Sequence, residues 1–152
     1  MKKILVVCLG NICRSPTAEA VLRAKALQQG VTLAVDSAGT AAYHCGNPPD
    51  KRSQAVALKR SYSFKGIHAR QVQQHDFEYF DLILAADKQN LADLMAQCPA
   101  HLQYKLALFL SYGSSTIDEI PDPYYGGEQG FEQVLDLIED ACDAIIKNLN
   151  LD

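Results

Sequence analysis

The chain has no dense run of lysine or arginine, and its 14 basic against 18 acidic residues leave a formal net charge of -4. That balance carries no electrostatic footprint for nucleic acid. No apolar stretch approaches the roughly 20 residues that a membrane-spanning helix needs. Lys2-Lys3 followed by Ile4 to Leu9 faintly imitates a secretory start, but Asn11 and Arg14 end the apolar run too early. The five cysteines are odd in number and lack the paired spacing of a metal site. With no signal sequence ahead of Cys8, a reduced, cytoplasmic setting is the expectation. Repeats, low-complexity tracts and linkers are also missing, so residues 1–152 read as a single domain. What is present is an ordinary globular composition, 48% apolar and 21% charged, long enough for a real core.

The apolar pattern alternates between two periods. Ile4 to Val7 is apolar throughout, as expected of a strand buried on both faces. Ala18, Val21, Leu22 and Ala26 follow as a helical stripe that ends near Gly30. Thr32 to Val35 reads as a second strand leading into Asp36-Ser37-Ala38-Gly39-Thr40, and Asn47-Pro48-Pro49 opens a helix to about Lys59. Tyr62 to Gln74 reads as loop with a short extended piece. Asp81 to Ala86 is a third strand, Asp87 caps a helix carrying Leu91, Leu94 and Met95, and Leu106 to Leu110 is a fourth strand. Phe131, Val134, Leu135, Ile138, Cys142, Ile145 and Leu149 then share one face of a final helix. Strands and helices in this order imply an α/β fold, a parallel sheet with helices on both faces. Ligands in such folds bind beyond the carboxyl ends of the strands.

The first such end is chemically loaded. It reads Cys8-Leu9-Gly10-Asn11-Ile12-Cys13-Arg14-Ser15-Pro16, with Pro16 expected at a first helical position. A loop entering a helix N-terminus turns its N–H groups inward and binds a phosphate-sized anion. A thiol beside a helix N-terminus and a guanidinium is a competent nucleophile. Arg14 offers a planar fork for two phosphate oxygens, Ser15 a hydroxyl for the Cys8 sulfur, and Asn11 a residue suited to the left-handed backbone region. Taken alone, Cys8 reads as the small buried hydrophobe that most free cysteines are. The preceding strand, the glycine and the helix start argue for the nucleophile. A Walker-type nucleotide loop is excluded, because its Gly-Lys-Ser/Thr ending is missing.

A thiolate that attacks a phosphate ester needs an acid for the departing oxygen. Asp122, in Ile120-Pro121-Asp122-Pro123, is held between two prolines, and Pro123 biases it toward an extended backbone. The segment follows the fourth strand and can return to the Cys8 end of the sheet. Asp118 and Glu119 are rival carboxylates without that bracing.

The Cys8-to-Ser15 motif, paired with Asp122-Pro123-Tyr124-Tyr125, makes the chain similar to the low-molecular-weight protein tyrosine phosphatases of bacterial type, over essentially its full length. The resemblance implies a flavodoxin-like three-layer sandwich around a four-stranded parallel sheet. It also implies a two-step reaction without metal or cofactor. Cys8 would attack phosphorus, Arg14 and the loop amides from Leu9, Gly10, Asn11, Ile12, Cys13 and Ser15 would hold the oxyanions, and Asp122 would serve as acid and then base. Ser37 matches the serine that supports the loop asparagine. Tyr43 falls where relatives place an aromatic cleft wall, with Leu9, His44, Tyr124 and Tyr125 completing a rim for a phenyl ring. Cys13 suggests a redox role, since a Cys8 sulfenic acid could condense with it to a disulfide; the alternative is that Cys13 simply packs behind the loop. Relatives place a histidine two residues before Ala-Arg-Gln, whereas His68 stands one position late and reads as a surface residue.

The implied partner is a phosphotyrosine protein, with an autophosphorylating tyrosine kinase as the example that bacterial members suggest. No nucleic-acid or membrane partner is expected, and oligomeric state stays open. Three other readings share parts of the motif. A protein arginine phosphatase tends to carry threonine where this chain has Ile12. A thiol-linked arsenate reductase needs two further relay cysteines, and Cys98 has no neighbouring partner. A phosphocysteine carrier has no use for Arg14 together with a braced Asp122.

Overall fold

The computed structural model describes residues 2–123 and 127–150. Its centre is β1, Lys2–Cys8, in which Ile4, Leu5, Val6 and Val7 are wholly buried. It is flanked by β2 (Leu33–Gly39) and β3 (Leu82–Ala85), and β3 pairs with β4 (Leu106–Leu108). All pairings are parallel and the order is β2-β1-β3-β4. That is the start of the flavodoxin-like 2-1-3-4-5 order, and its switch point lies between β1 and β3.

The side-chain period of two divides β1 between two cores. Ile4 and Val6, with Leu84 of β3, face α1 (Arg14–Gln28), α2 (Lys51–Lys59) and α5 (Glu128–Asn150). Leu5 and Val7, with Ile83 and Ala85, face α3 (Gln74–Tyr79) and α4 (Lys88–Gln97). The final helix buries Phe131, Val134, Leu135, Ile138, Cys142 and Ile145 as its stripe requires, while Leu149 is only partly covered. Each fully buried aliphatic side chain is worth about 1.5–3 kcal/mol against exposure.

Several boundaries differ from the sequence reading. Helix α1 begins at Arg14, with Cys13 as its N-cap, so Pro16 sits third in the helix. Proline is harmless there, because first-turn N–H groups have no intrahelical acceptor. Strand β2 continues through Asp36-Ser37-Ala38-Gly39, since each of these residues pairs with β1, up to Gly39 opposite Cys8. Strand β4 stops at Leu108 and turns into a 3₁₀ helix over Phe109–Tyr112. Its partner β3 is only four residues long. The six-residue α3 has no periodicity to read; its local signal is Asp76, whose carboxylate accepts the Gln73 N–H at 2.8 Å. The extended piece expected between Tyr62 and Gln74 is a parallel bridge between Gln71 and Gly39.

Candidate active site

Four chain segments meet at the carboxyl ends of the strands. Cys8 ends β1, Gly39 ends β2, Asp87 follows β3 and Ile120-Pro121-Asp122 follows β4. At this end a cavity of about 420 Å³ is lined by Cys8, Leu9, Gly10, Ile12, Cys13, Arg14, Tyr43, His44 and Asp122. The expected first-loop residues, cleft aromatic and carboxylate therefore come together in one place. Asn11, Ser15 and Ser37 lie behind the loop. Tyr124 and Tyr125 lie outside the described residues.

The loop is built around Asn11, which is fully buried and has φ of 57°. This left-handed residue turns its own N–H back to the Cys8 sulfur at 3.3 Å. Its side-chain Nδ2 donates to Ser15 Oγ at 2.8 Å and to Ser37 Oγ at 3.0 Å, and its Oδ1 accepts the Arg70 N–H at 3.0 Å. The Arg70 bond settles which end of the amide faces the serines. Ser37 Oγ donates onward to Glu19 Oε1 at 2.6 Å. Ser15 Oγ already accepts from Asn11, so its proton is available to the Cys8 sulfur, 3.0 Å away. A second acceptor, the Ala38 carbonyl, is more distant at 3.4 Å. The network thus places the Asn11 N–H as a donor to the sulfur and sets the Ser15 hydroxyl within hydrogen-bond distance of it, a donor once Cys8 is a thiolate. Helix α1 has no side-chain cap, which leaves its first-turn N–H groups to an anion.

Arg14 is almost entirely buried, 4% exposed. Its Nη1 donates to Asp87 Oδ2 at 2.7 Å and to the Ile120 carbonyl at 3.1 Å, and Nη2 lies 3.9 Å from Asp122 Oδ2. Burial opposes its charge, but Cys8, Asp87 and Asp122 outweigh that, and its pKa rises. Ile120 also donates its N–H to the Ala86 carbonyl at 2.8 Å, so the Asp122 segment is anchored to the end of β3. Asp122 itself is half-exposed at the cavity edge. Of the rival carboxylates, Asp118 pairs with Lys88 and Glu119 accepts the Lys88 N–H; neither lines this cavity.

Gly39 is demanded by closeness. A Cβ there would stand 2.7 Å from the Leu9 carbonyl oxygen and 3.0 Å from that of Ala41. Gly10 packs under the His44 ring, with a Cβ falling 2.9 Å from His44 Cδ2. Tyr43 is 76% exposed, so it edges the cavity without packing into it. His68 is exposed, and the Arg70 backbone does the work of supporting Asn11. Cys13 is buried, and burial with Asp50 nearby pushes its thiol up to about 12. All five cysteines are free thiols; Cys45 is exposed, so packing does not account for it.

Four contributors escaped the sequence reading. Asp87 reads as a helix cap, and it is one, accepting the Asn90 N–H at 2.7 Å; its other oxygen holds Arg14. Glu19 sits among the apolar residues of α1 and is only 4% exposed. Burial raises its pKa, opposed by Ser37 and Arg23. Arg70 acts through its backbone and Gly39 through its missing side chain. Only Asp87 had a readable signal, an acid beside a strand end.

A family model described as low molecular weight phosphotyrosine protein phosphatase matches residues 3–152. A Synechocystis protein bearing that family's name is 47% identical over 151 residues, covering 97% of this chain and 96% of its own. A crystal structure of protein tyrosine phosphatase from Entamoeba histolytica, with Hepes in the active site, is similar with a TM-score of 0.95 at 41% identity. That likeness covers 99% of this chain and 97% of the other. Wzb of Vibrio vulnificus in complex with benzylphosphonate has a TM-score of 0.85 at 34% identity, covering 97% of this chain and 98% of its own.

Proposed function

The chain belongs to the low molecular weight phosphotyrosine protein phosphatase family, and on that basis we propose that it hydrolyses phosphotyrosine in two steps through a phosphocysteine. In the first step the Cys8 thiolate attacks phosphorus as the P–O bond to the phenol breaks. Asp122 gives its proton to the departing oxygen, while Arg14 and the loop amides take up the charge on the other three oxygens. In the second step water attacks phosphorus, its proton passes to Asp122, and the S–P bond breaks. Thiolate and acid are regenerated and inorganic phosphate leaves.

The observation that carries this reading is the pair of groups set against the Cys8 sulfur, the Asn11 N–H donating at 3.3 Å and the Ser15 hydroxyl at 3.0 Å, which donates when the sulfur is an anion. They stabilise sulfur as an anion both before attack and as the leaving group. Arg14 adds support, because Asp87 and Ile120 together hold one nitrogen of the guanidinium and so orient its plane. The benzylphosphonate held by the Vibrio protein is an aromatic phosphoryl-type ligand, in keeping with a cleft edged by Tyr43 and Leu9. Substrates are therefore phosphotyrosine proteins, an autophosphorylating tyrosine kinase being the first to try. With peroxide as the oxidant, the Cys8 thiolate takes an oxygen atom to become a sulfenic acid as hydroxide leaves, and the thiol of Cys13 in the same loop condenses with it to a disulfide with loss of water.

Phosphate release from matched phosphotyrosine and phosphoarginine substrates, with chelator present, tests the assignment. Wild type should release phosphate from phosphotyrosine alone and Cys8→Ser from neither. Preference for phosphoarginine would transfer the assignment to an arginine phosphatase, with Ile12 in the cavity lining failing to set specificity. No release from either would remove the hydrolytic mechanism.

A further inference from the structure

A second cavity, of about 330 Å³, opens on the other side of Leu9, Arg14 and Asp122, which line both spaces. The two cavities differ in sign. The first presents the anion-binding loop. The second is walled by Asp87, Glu119, Asp122, Gln89 and Asn90, with Arg14 its one cationic residue among the described residues. Arg14 is spoken for on that side, its Nη1 bonded to Asp87 and to the Ile120 carbonyl. Asn90, which lines the cavity, is 2% exposed, and among the described residues its side-chain Oδ1 has no hydrogen-bond partner. A buried acceptor left unpaired favours any ligand that brings a donor. Lys88 is turned to Asp118 at 3.3 Å and does not line the cavity.

Resting on the phosphotyrosine reading of the first cavity, we propose that the second cavity is a substrate subsite for a cationic side chain, lysine or arginine, flanking the phosphotyrosine, and that Glu119 sets this preference. A ring in the first cavity places the neighbouring residues of its peptide at the shared Leu9–Asp122 edge. A donor-rich, positively charged side chain there meets Glu119. An acidic side chain meets the same carboxylate and is repelled. Glu119 lines the second cavity and not the first, so the expected effect of its side chain falls on KM rather than kcat.

The test compares kcat/KM for phosphotyrosyl peptides identical except for arginine, alanine or glutamate beside the phosphotyrosine, at low and high salt. The expected order is arginine, alanine, glutamate, with about two- to fivefold between the first two at low salt and less at high salt. Glu119→Gln keeps a side-chain oxygen for the Lys88 N–H and should bring the arginine-to-alanine ratio close to one. Glu119→Lys should reverse it. Equal rates for the three peptides in wild type, a preference for glutamate, or an arginine preference that survives Glu119→Gln would each overturn the subsite. Failure to hydrolyse any phosphotyrosyl peptide, alanine included, would instead bring down the reading beneath it.

Discussion

Asn11 concentrates backbone geometry and hydrogen bonding in one buried residue, so two substitutions separate them. Asn11→Ala removes the donors to Ser15 and Ser37 and orphans the Arg70 N–H. Two net hydrogen bonds and one part-buried unpaired donor cost about 2–4 kcal/mol together. Alanine at φ of 57° adds about 1–2 kcal/mol of left-handed strain. The total is about 3–6 kcal/mol. Asn11→Gly loses the same bonds and escapes the strain, but its freer unfolded chain takes back about 0.4–1 kcal/mol. Glycine should therefore be the milder variant by about 0.5–1 kcal/mol. In urea, with a slope of about 2 kcal/mol/M, alanine shifts the midpoint down by about 2 M and glycine by a few tenths of a molar less. Both variants should lose kcat alike, because both leave Ser15 and Ser37 without the amide that holds them. Equal midpoints for the two, or an alanine cost below about 1 kcal/mol at unchanged slope, would refute this account of the loop.

Four further outcomes are expected. Gly39→Ala forces a Cβ onto the carbonyls of Leu9 and Ala41; it should lower stability by about 1–3 kcal/mol and reduce kcat, both absent if the loop yields freely. Asp122→Ala should slow hydrolysis of aryl phosphates steeply for poor leaving groups and little for good ones, and equal losses across a leaving-group series would strip Asp122 of the acid role. Cys13, pushed up to about 12 by burial, remains a thiol at neutral pH, so iodoacetamide should label Cys8 and exposed Cys45 and spare Cys13. Phosphate should protect Cys8 alone, and labelling of Cys13 as fast as Cys8 contradicts the assignment. The sign for stability follows: above the ordinary thiol value of 9.0 the unfolded chain releases the Cys13 proton while the folded chain keeps it, so that contribution is lost as pH rises. The advantage of wild type over Cys13→Ser in urea midpoint should accordingly shrink as pH rises across that range.

The sequence by itself determined everything that depends on neighbours in the chain. The unbroken apolar run of β1, the stripe of α5, and the glycine- and asparagine-bearing loop between Cys8 and Arg14 are local patterns, and the structure keeps each of them. So is the serine after Arg14, whose hydroxyl returns to the Cys8 sulfur across a single loop. Tertiary structure decided whatever depends on two segments meeting. Residues 36–39 became strand because β1 lay alongside to pair with them, and α3 formed although six residues carry too little period to announce it. Asp87 and Arg14 stand 73 residues apart and touch because β1 and β3 are neighbours in the sheet. Glu19 became a buried carboxylate, and Arg70 lent a backbone N–H to Asn11, through packing alone. The groups proposed to react are legible because chemistry restricts which side chains can attack, clamp and protonate. Their supports are not, because an amide, a carbonyl or a missing Cβ serves from whatever residue the fold happens to bring close.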